Sequence, residues 1–246
     1  GGLEGLGQGL RLMMDSTERY ARQTMLREIG PEGQRRLAEA SVLVVGVGGL
    51  GSPAALYLTG AGVGRLGLAD PDRVSESNLQ RQTLYTESQI GRPKTEAARE
   101  RLSALCSQTR FTCYDEGLTA ENAREVIEGY DLVVDCCDNF PTRYLIDDAC
   151  AACGKPWVHG SIGEFQGQVA LFNGRSGRRY AELYPDREAL CARPRTTSGV
   201  LGTVPGVIGT LEASEAIKWI VGFGEPLDGR LFTLDLKTLQ TEIITF

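Results

Sequence analysis

Short apolar runs alternate with longer stretches in which apolar residues recur every three or four positions. The runs at 41–45, 65–70, 111–114, 130–136 and 155–161 predict strands, and the stretches at 50–60, 93–106, 119–128 and 141–153 predict helices. Local signals agree with several boundaries. Pro93 stands where a helix needs no N–H, Thr119 and Asn122 have capping-box spacing, and Gly154 with Pro156 stops a helix. Ahead of them, 19–40 carries Leu26, Ile29 and Leu37 among polar residues and reads as one or two amphipathic helices broken at Gly30-Pro31.

Strands alternating with helices predict an α/β fold, a Rossmann-like doubly wound sheet that is parallel in the N-terminal half. After Ser161 the alternation stops. Strands are expected at 166–173, 230–236 and 240–246 with one helix at 209–221, so antiparallel strands should extend the sheet through the C-terminal half. The stretch 175–203, rich in Arg, Pro, Gly and Ser, reads as a long mobile loop of the kind usually kept for function. Residues 1–17 are Gly- and Leu-rich and read as a disordered leader or an expression remnant.

Composition narrows the function classes. The 246 residues suit one large domain, with 41% apolar and 24% charged residues. A net charge of −6 leaves no basic footprint for nucleic acid, and no apolar run is long enough to span a membrane. Seven cysteines, an odd number without an export signal, fit reduced thiols in the cytoplasm better than a disulfide framework.

The candidate chemistry starts at Gly46, Gly48, Gly49 and Gly51, between a predicted strand and a predicted helix. Glycine lets the backbone approach a phosphate or ribose, and the helix N-terminus adds partial positive charge. Asp70 closes the next strand, where a ribose-binding acid belongs. These features alone fit an NAD(P)-dependent oxidoreductase at least as well as an ATP enzyme. Arg81, Lys94 and the strand-end run Asp135-Cys-Cys-Asp138-Asn139 change the balance. Two cations suit phosphate oxygens, and Asp138 suits magnesium. All map to strand C-terminal ends or the loops beyond, where open α/β sheets bind ligands.

With these residues the chain resembles the sulfur-carrier adenylyltransferases ThiF, MoeB and HesA, relatives of the ubiquitin-activating enzymes. The resemblance is carried by Arg19-Tyr-Ala-Arg22-Gln23, the glycine turn, Asp70, Ser77-Asn-Leu-Gln-Arg-Gln82, Arg92-Pro-Lys94, Asp135 to Asn139 with Thr142-Arg143, Gly163 to Gln168, and Gly206-Val-Ile-Gly209 with Glu212 and Glu215. It covers about 18–246, which it implies is a single adenylation domain, with a nucleotide-binding part (18–161) and a carrier-binding part (162–246). It implies that Gly49 touches the nucleotide and Asp70 the ribose. Asn78, Arg81 and Lys94 would hold the phosphates, Asp138, beside Asn139, the magnesium, and Ser77 and Gln80 would line the pocket. Arg22 would reach the partner subunit of a homodimer. The implied reaction is ATP-dependent adenylation of the C-terminal glycine of a ubiquitin-like sulfur carrier ending in Gly-Gly, in thiamine or molybdenum-cofactor biosynthesis, with a sulfurtransferase as a possible further partner.

The chain departs from that pattern where many members carry two Cys-x-x-Cys pairs for zinc. Arg179-Tyr-Ala-Glu182 replaces the first pair and no cysteine follows Cys191, so no zinc is expected and an Arg179–Glu182 ion pair is the expected substitute. A non-catalytic carrier-docking protein is therefore a second alternative. Cys150 and Cys153, like Cys136 and Cys137, read as packing residues, and His159 as a satisfied residue on a strand. Cys191, near Arg193 and Arg195, is the one candidate for covalent sulfur transfer.

Overall fold

A computed structural model of the chain describes residues 18–194 and 199–246. The leader assigned to 1–17, together with Arg195, lies outside the described residues. Five strands run parallel: β1 (Ser41–Val45), β2 (Arg65–Ala69), β3 (Arg110–Tyr114), β4 (Leu132–Asp135) and β5 (Trp157–Gly163). Then β6 (Gln166–Phe172), β7 (Arg230–Asp235) and β8 (Gln240–Thr245) add on antiparallel, giving one sheet in the order β3-β2-β1-β4-β5-β6-β7-β8. The expected change from parallel to antiparallel falls at the β5–β6 hairpin.

The helices are α1 (Ala21–Thr24), α2 (Gly30–Glu39), α3 (Gly51–Ala61), α4 (Lys94–Leu105), α5 (Ala123–Glu128), α6 (Phe140–Cys153), α7 (Tyr180–Leu183), α8 (Arg187–Cys191) and α9 (Thr203–Val221). β1 is buried at every position, because both faces of the parallel half are covered. On one face Val42, Val44, Leu66, Leu68 and Val134 pack with α3, α4 and α9 residues. On the other, Leu43, Val45, Val133, Trp157 and Phe172 pack with α5 and α6 residues. In α9 the residues Val204, Ile208, Gly209, Glu212, Ala213 and Ala216 recur at helical spacing and are buried. None of the helices is long and apolar enough to cross a membrane, among the described residues.

Several expectations need correcting. Gly30-Pro31 does not break a helix but starts α2, with the proline in its first turn. Thr119 and Asn122 do bond reciprocally, at 2.8 and 3.3 Å, but in a turn ahead of α5 rather than within it. α9 begins at Thr203 rather than at 209, since Pro205 is tolerated in a first turn. The loop expected over 175–203 carries two short helices, α7 and α8. Arg179 does not pair with Glu182. Its guanidinium reaches Asp147 on α6 at 3.0 and 2.8 Å and Asp148 at 3.2 Å. Glu182 instead accepts from Arg178 at 2.8 Å and from the Arg179 N–H at 3.1 Å.

Candidate nucleotide site

β1 lies between β2 and β4, so the sheet order reverses there and a crevice opens beyond the strand C-termini. Gly46 leaves β1 at φ +87, with its Cα so close to the next loop that a Cβ would sit 2.6 Å from the Cys136 carbonyl oxygen. The glycine turn and the acid turn after β4 are therefore in direct backbone contact. α3 starts at Gly51 and points its N-terminus into the same crevice.

Asp70 follows β2 and is buried. It accepts the Val47 N–H at 2.8 Å and the Asp72 N–H at 2.9 Å, which fixes the glycine turn to the end of β2. Burial raises its carboxyl above the ordinary range, and the positive charge of Lys94 opposes this. Lys94, at the start of α4, is also buried, with Nζ 2.8 Å from Asp72 and 3.9 Å from Asp70. Tyr85 closes this side by donating to the Val47 carbonyl at 2.7 Å.

Arg81 lies on the other side, half-buried, donating to the Ser77 carbonyl at 3.0 Å. A Cβ on Gly49 would be 3.7 Å from its Cγ, so guanidinium stem and glycine turn are neighbours. Gln82 stands against Gly48, and its Oε1 is buried with no hydrogen-bond partner. Asn78 is half-buried in the turn leading to Arg81, while Ser77 and Gln80 are exposed on it. The Gln80 carbonyl presses on Gly202 at the entry to α9. Asp138 is exposed two residues beyond Cys136, with Asn139 Nδ2 3.4 Å away. Asn139 itself caps α6 through the Thr142 N–H at 2.9 Å.

Arg81 and Lys94 thus flank the glycine turn, from the loop before α4 and from the start of α4, while Asp138 follows by two residues Cys136, whose backbone touches Gly46. Two other candidates stand apart. Arg22 is exposed on α1, whose neighbour Gln23 bonds the Ala61 carbonyl at 3.1 Å, at the far end of α3. The eleven residues of α3 separate that end from the turn by about 16 Å. Cys191 closes α8, half-buried against the α6 side of the core, outside the ring around the turn.

Beneath the acid turn is a buried polar group that the sequence reading left without a role. Asp135, His159, Arg143 and Glu212 are all nine-tenths or more buried. His159 Nδ1 is 2.9 Å from Asp135, as expected of a satisfied histidine, and burial lowers its pKa. Glu212 lies against Cys136 at 3.6 Å, and burial drives its carboxyl well above the ordinary range. Arg143 and Glu212 belonged to the matching motifs, but only side-chain direction shows that Arg143 reaches Asp135 and the Cys137 carbonyl while Glu212 lies against Cys136 from the α9 face.

One strand further along, the antiparallel half leaves a polar cleft of 760 Å³ on the face that α9 does not cover. Ser161, Gln166, Gln168, Thr233, Asp235 and Glu242 line it. Gln168 connects it to the buried group, with Nε2 3.4 Å from His159 Nε2.

A glycine turn at the switch point of a doubly wound sheet, ringed by a buried acid, two cations and an exposed carboxylate, defines a nucleotide-binding α/β protein. The chain belongs to the ThiF family, whose profile matches residues 20–246. It is 48% identical over 232 residues to the sulfur carrier protein adenylyltransferase of Thermus thermophilus, covering 92% of this chain and 86% of that one. It is 46% identical over 230 residues to the adenylyltransferase and sulfurtransferase MOCS3 of Culex quinquefasciatus, covering 92% of this chain. The chain spans about half of that relative's length (52%). In architecture it is similar to Escherichia coli MccB with ATP, with a TM-score of 0.82 at 22% identity over 92% of this chain and 71% of that one. PaaA is similar too, with a TM-score of 0.80 at 22% identity over 99% and 81%. At such identity the two structures speak for the fold alone. The oxidoreductase alternative finds no support among these relatives.

Proposed function

We propose that the chain uses ATP to adenylate the C-terminal glycine carboxylate of a small ubiquitin-like sulfur carrier, releasing pyrophosphate. The observation that supports this reading is that Arg81 and Lys94 flank the glycine turn, with the loop carrying Asp138 in backbone contact with it at Gly46 and Cys136.

A carboxylate is a poor electrophile because its oxide leaves badly. In the proposed reaction its oxygen attacks the α-phosphorus, the bond to the bridging oxygen breaks, and pyrophosphate takes the electron pair. Catalysis then rests on positioning and on stabilising charge at the phosphates. Asp70 would accept from a ribose hydroxyl. Lys94 spends one of its three N–H donors on Asp72 at 2.8 Å, which leaves the others for phosphate oxygens. Arg81 offers its remaining donors from the opposite wall.

The chemistry of the donors fits magnesium. Among the described residues no three His, Cys, Asp or Glu side chains are grouped to cage an ion. A lone exposed carboxylate, Asp138, suits an ion that keeps waters and shares phosphate oxygens. Bound there with the nucleotide, the ion would neutralise charge on the leaving pyrophosphate.

The carrier's tail is proposed to lie in the polar cleft beside β5, which starts one strand beyond the acid turn. Arg22 is proposed to complete the site of a second copy, in keeping with its place far from its own glycine turn. The pathway is proposed to be that of thiamine or of the molybdenum cofactor, and exchange assays with a carrier from each would separate the two.

Carrier-dependent exchange of pyrophosphate into ATP tests the proposal. Arg81→Ala and Asp138→Ala are each expected to lower it at least about a hundredfold, as for loss of one charge-stabilising group, with thermal unfolding unchanged. Exchange at the native rate in both variants would remove the assignment.

A further inference from the structure

The turn that carries Asp138 is gripped by two buried side chains. Asp135, at the end of β4, accepts the Cys137 N–H on Oδ1 at 3.1 Å. Arg143, in the first turns of α6, donates from Nη2 to the Cys137 carbonyl at 3.0 Å. Both polar groups of one backbone residue are therefore held, from different elements, immediately before Asp138. The two grips are also joined to each other, with Arg143 Nε 3.7 Å from Asp135 Oδ2. That same oxygen meets His159 at 2.9 Å.

Two features argue against a mere packing role. A buried arginine–aspartate pair is costly to desolvate, and apolar residues of the same volume would pack as well. Arg143 Nε makes no hydrogen bond, its ion-pair oxygen on Asp135 being 3.7 Å away, while Nη2 is directed at the Cys137 carbonyl, so its geometry favours the turn over its own satisfaction. Asp138, by contrast, is exposed, and among the described residues its side chain makes one hydrogen bond, at 3.4 Å with the neighbouring Asn139. Its position is set by the backbone behind it.

We propose that Asp135 and Arg143 are positioning residues, a clamp on Cys137 that presents the Asp138 carboxylate to a magnesium–nucleotide complex beside the glycine turn. The clamp orders the turn on folding, so that ordering does not weigh against binding. This rests on the reading of Asp138 given above.

Calorimetric titration of the full chain with ATP, once in EDTA and once in excess magnesium, gives the factor by which the ion tightens nucleotide binding, without carrier or turnover. Asp138→Asn is expected to abolish that factor. Arg143→Lys keeps the charge beside Asp135 but loses the planar fork. The double exchange Asp135→Asn/Arg143→Met leaves no unpaired charge in the core, so it keeps the test open should the single variant unfold. Both are expected to cut the factor about tenfold, the scale on which outer partners of metal-holding groups act, with ATP affinity in EDTA unchanged. Loss of the factor in Asp138→Asn with an undiminished factor in the folded clamp variants overturns the clamp and leaves the Asp138 reading standing. An undiminished factor in Asp138→Asn overturns that reading and the clamp with it.

Discussion

Glu212 sits fully buried where α9 crosses β5, facing Gly160, at which any Cβ would collide with its carboxyl group. Burial lifts its carboxyl well above the ordinary value of 4.5, so the folded chain keeps a proton that the unfolded chain has released. Stability from this group is complete below about pH 4.5 and is lost as pH rises toward the folded value. Glu212→Gln cannot ionise. Its stability relative to the native chain is therefore expected to rise with pH above about 4.5, followed by urea unfolding at several pH values. A difference that stays constant with pH would contradict the buried neutral carboxyl. At this scale the nearness of Arg81 and Lys94 to the glycine turn was legible from motif order; the phosphate and metal roles suggested by their charge, and by that of Asp138, belong to the proposal. Neither the Asp135, Arg143 and His159 cluster nor the burial of Glu212 on the other face of the sheet was legible. They come from four elements, and whether a charged residue faces solvent or its counterpart depends on directions that only packing sets.

Between elements, the most consequential tie is that of Arg179 to α6. Its fork meets buried Asp147 through two bonds, and the Tyr180 N–H joins the same carboxylate at 3.1 Å. The contact seats α7 where many relatives of this type are expected to use zinc. We propose that it takes over that task without a metal, and one zinc per chain in metal analysis would contradict this. Arg179→Ala leaves Asp147 buried with reduced compensation. It is expected to cost about 1–3 kcal/mol, a buried pair discounted for the partial exposure of the arginine, and to speed limited proteolysis between α6 and α9. Native stability together with native cleavage rates would sink the idea. The strands were the easiest elements to read, because a strand covered on both faces is a bare apolar run. α7 and α8 were missed because helices of four and five residues carry no measurable period. They exist because the rest of the molecule holds them.

At the scale of the whole molecule, two surfaces are proposed to receive other chains. The polar cleft along β5 to β8 reaches the acid turn through Gln168, His159 and Asp135, so an occupant of the cleft would adjoin the buried group under Asp138. The second surface concerns Arg22. If each site draws that arginine from a partner, a chain bearing Arg22→Ala and a chain bearing Arg81→Ala are each inactive alone, yet mixed dimers contain one intact site. Mixing the two is expected to restore part of the carrier-dependent exchange. No recovery, with a sedimentation profile that shows subunits exchanging, would rule out the shared site. The doubly wound half and its antiparallel extension were legible from the order of elements. The cleft was not, since it is made by what fails to cover a sheet face.

The central place of β1 has a consequence during synthesis. β2 follows it closely, but its other neighbour, β4, begins just after Asp131, whose side chain accepts the Ser41 N–H across a separation of 90 residues. At ribosomal rates of about 5–20 residues per second, an apolar strand waits with one bare edge for roughly 5–20 s. Such an edge invites pairing with other nascent chains, so the yield of this protein in a cell depends on whatever shelters that strand in the interval.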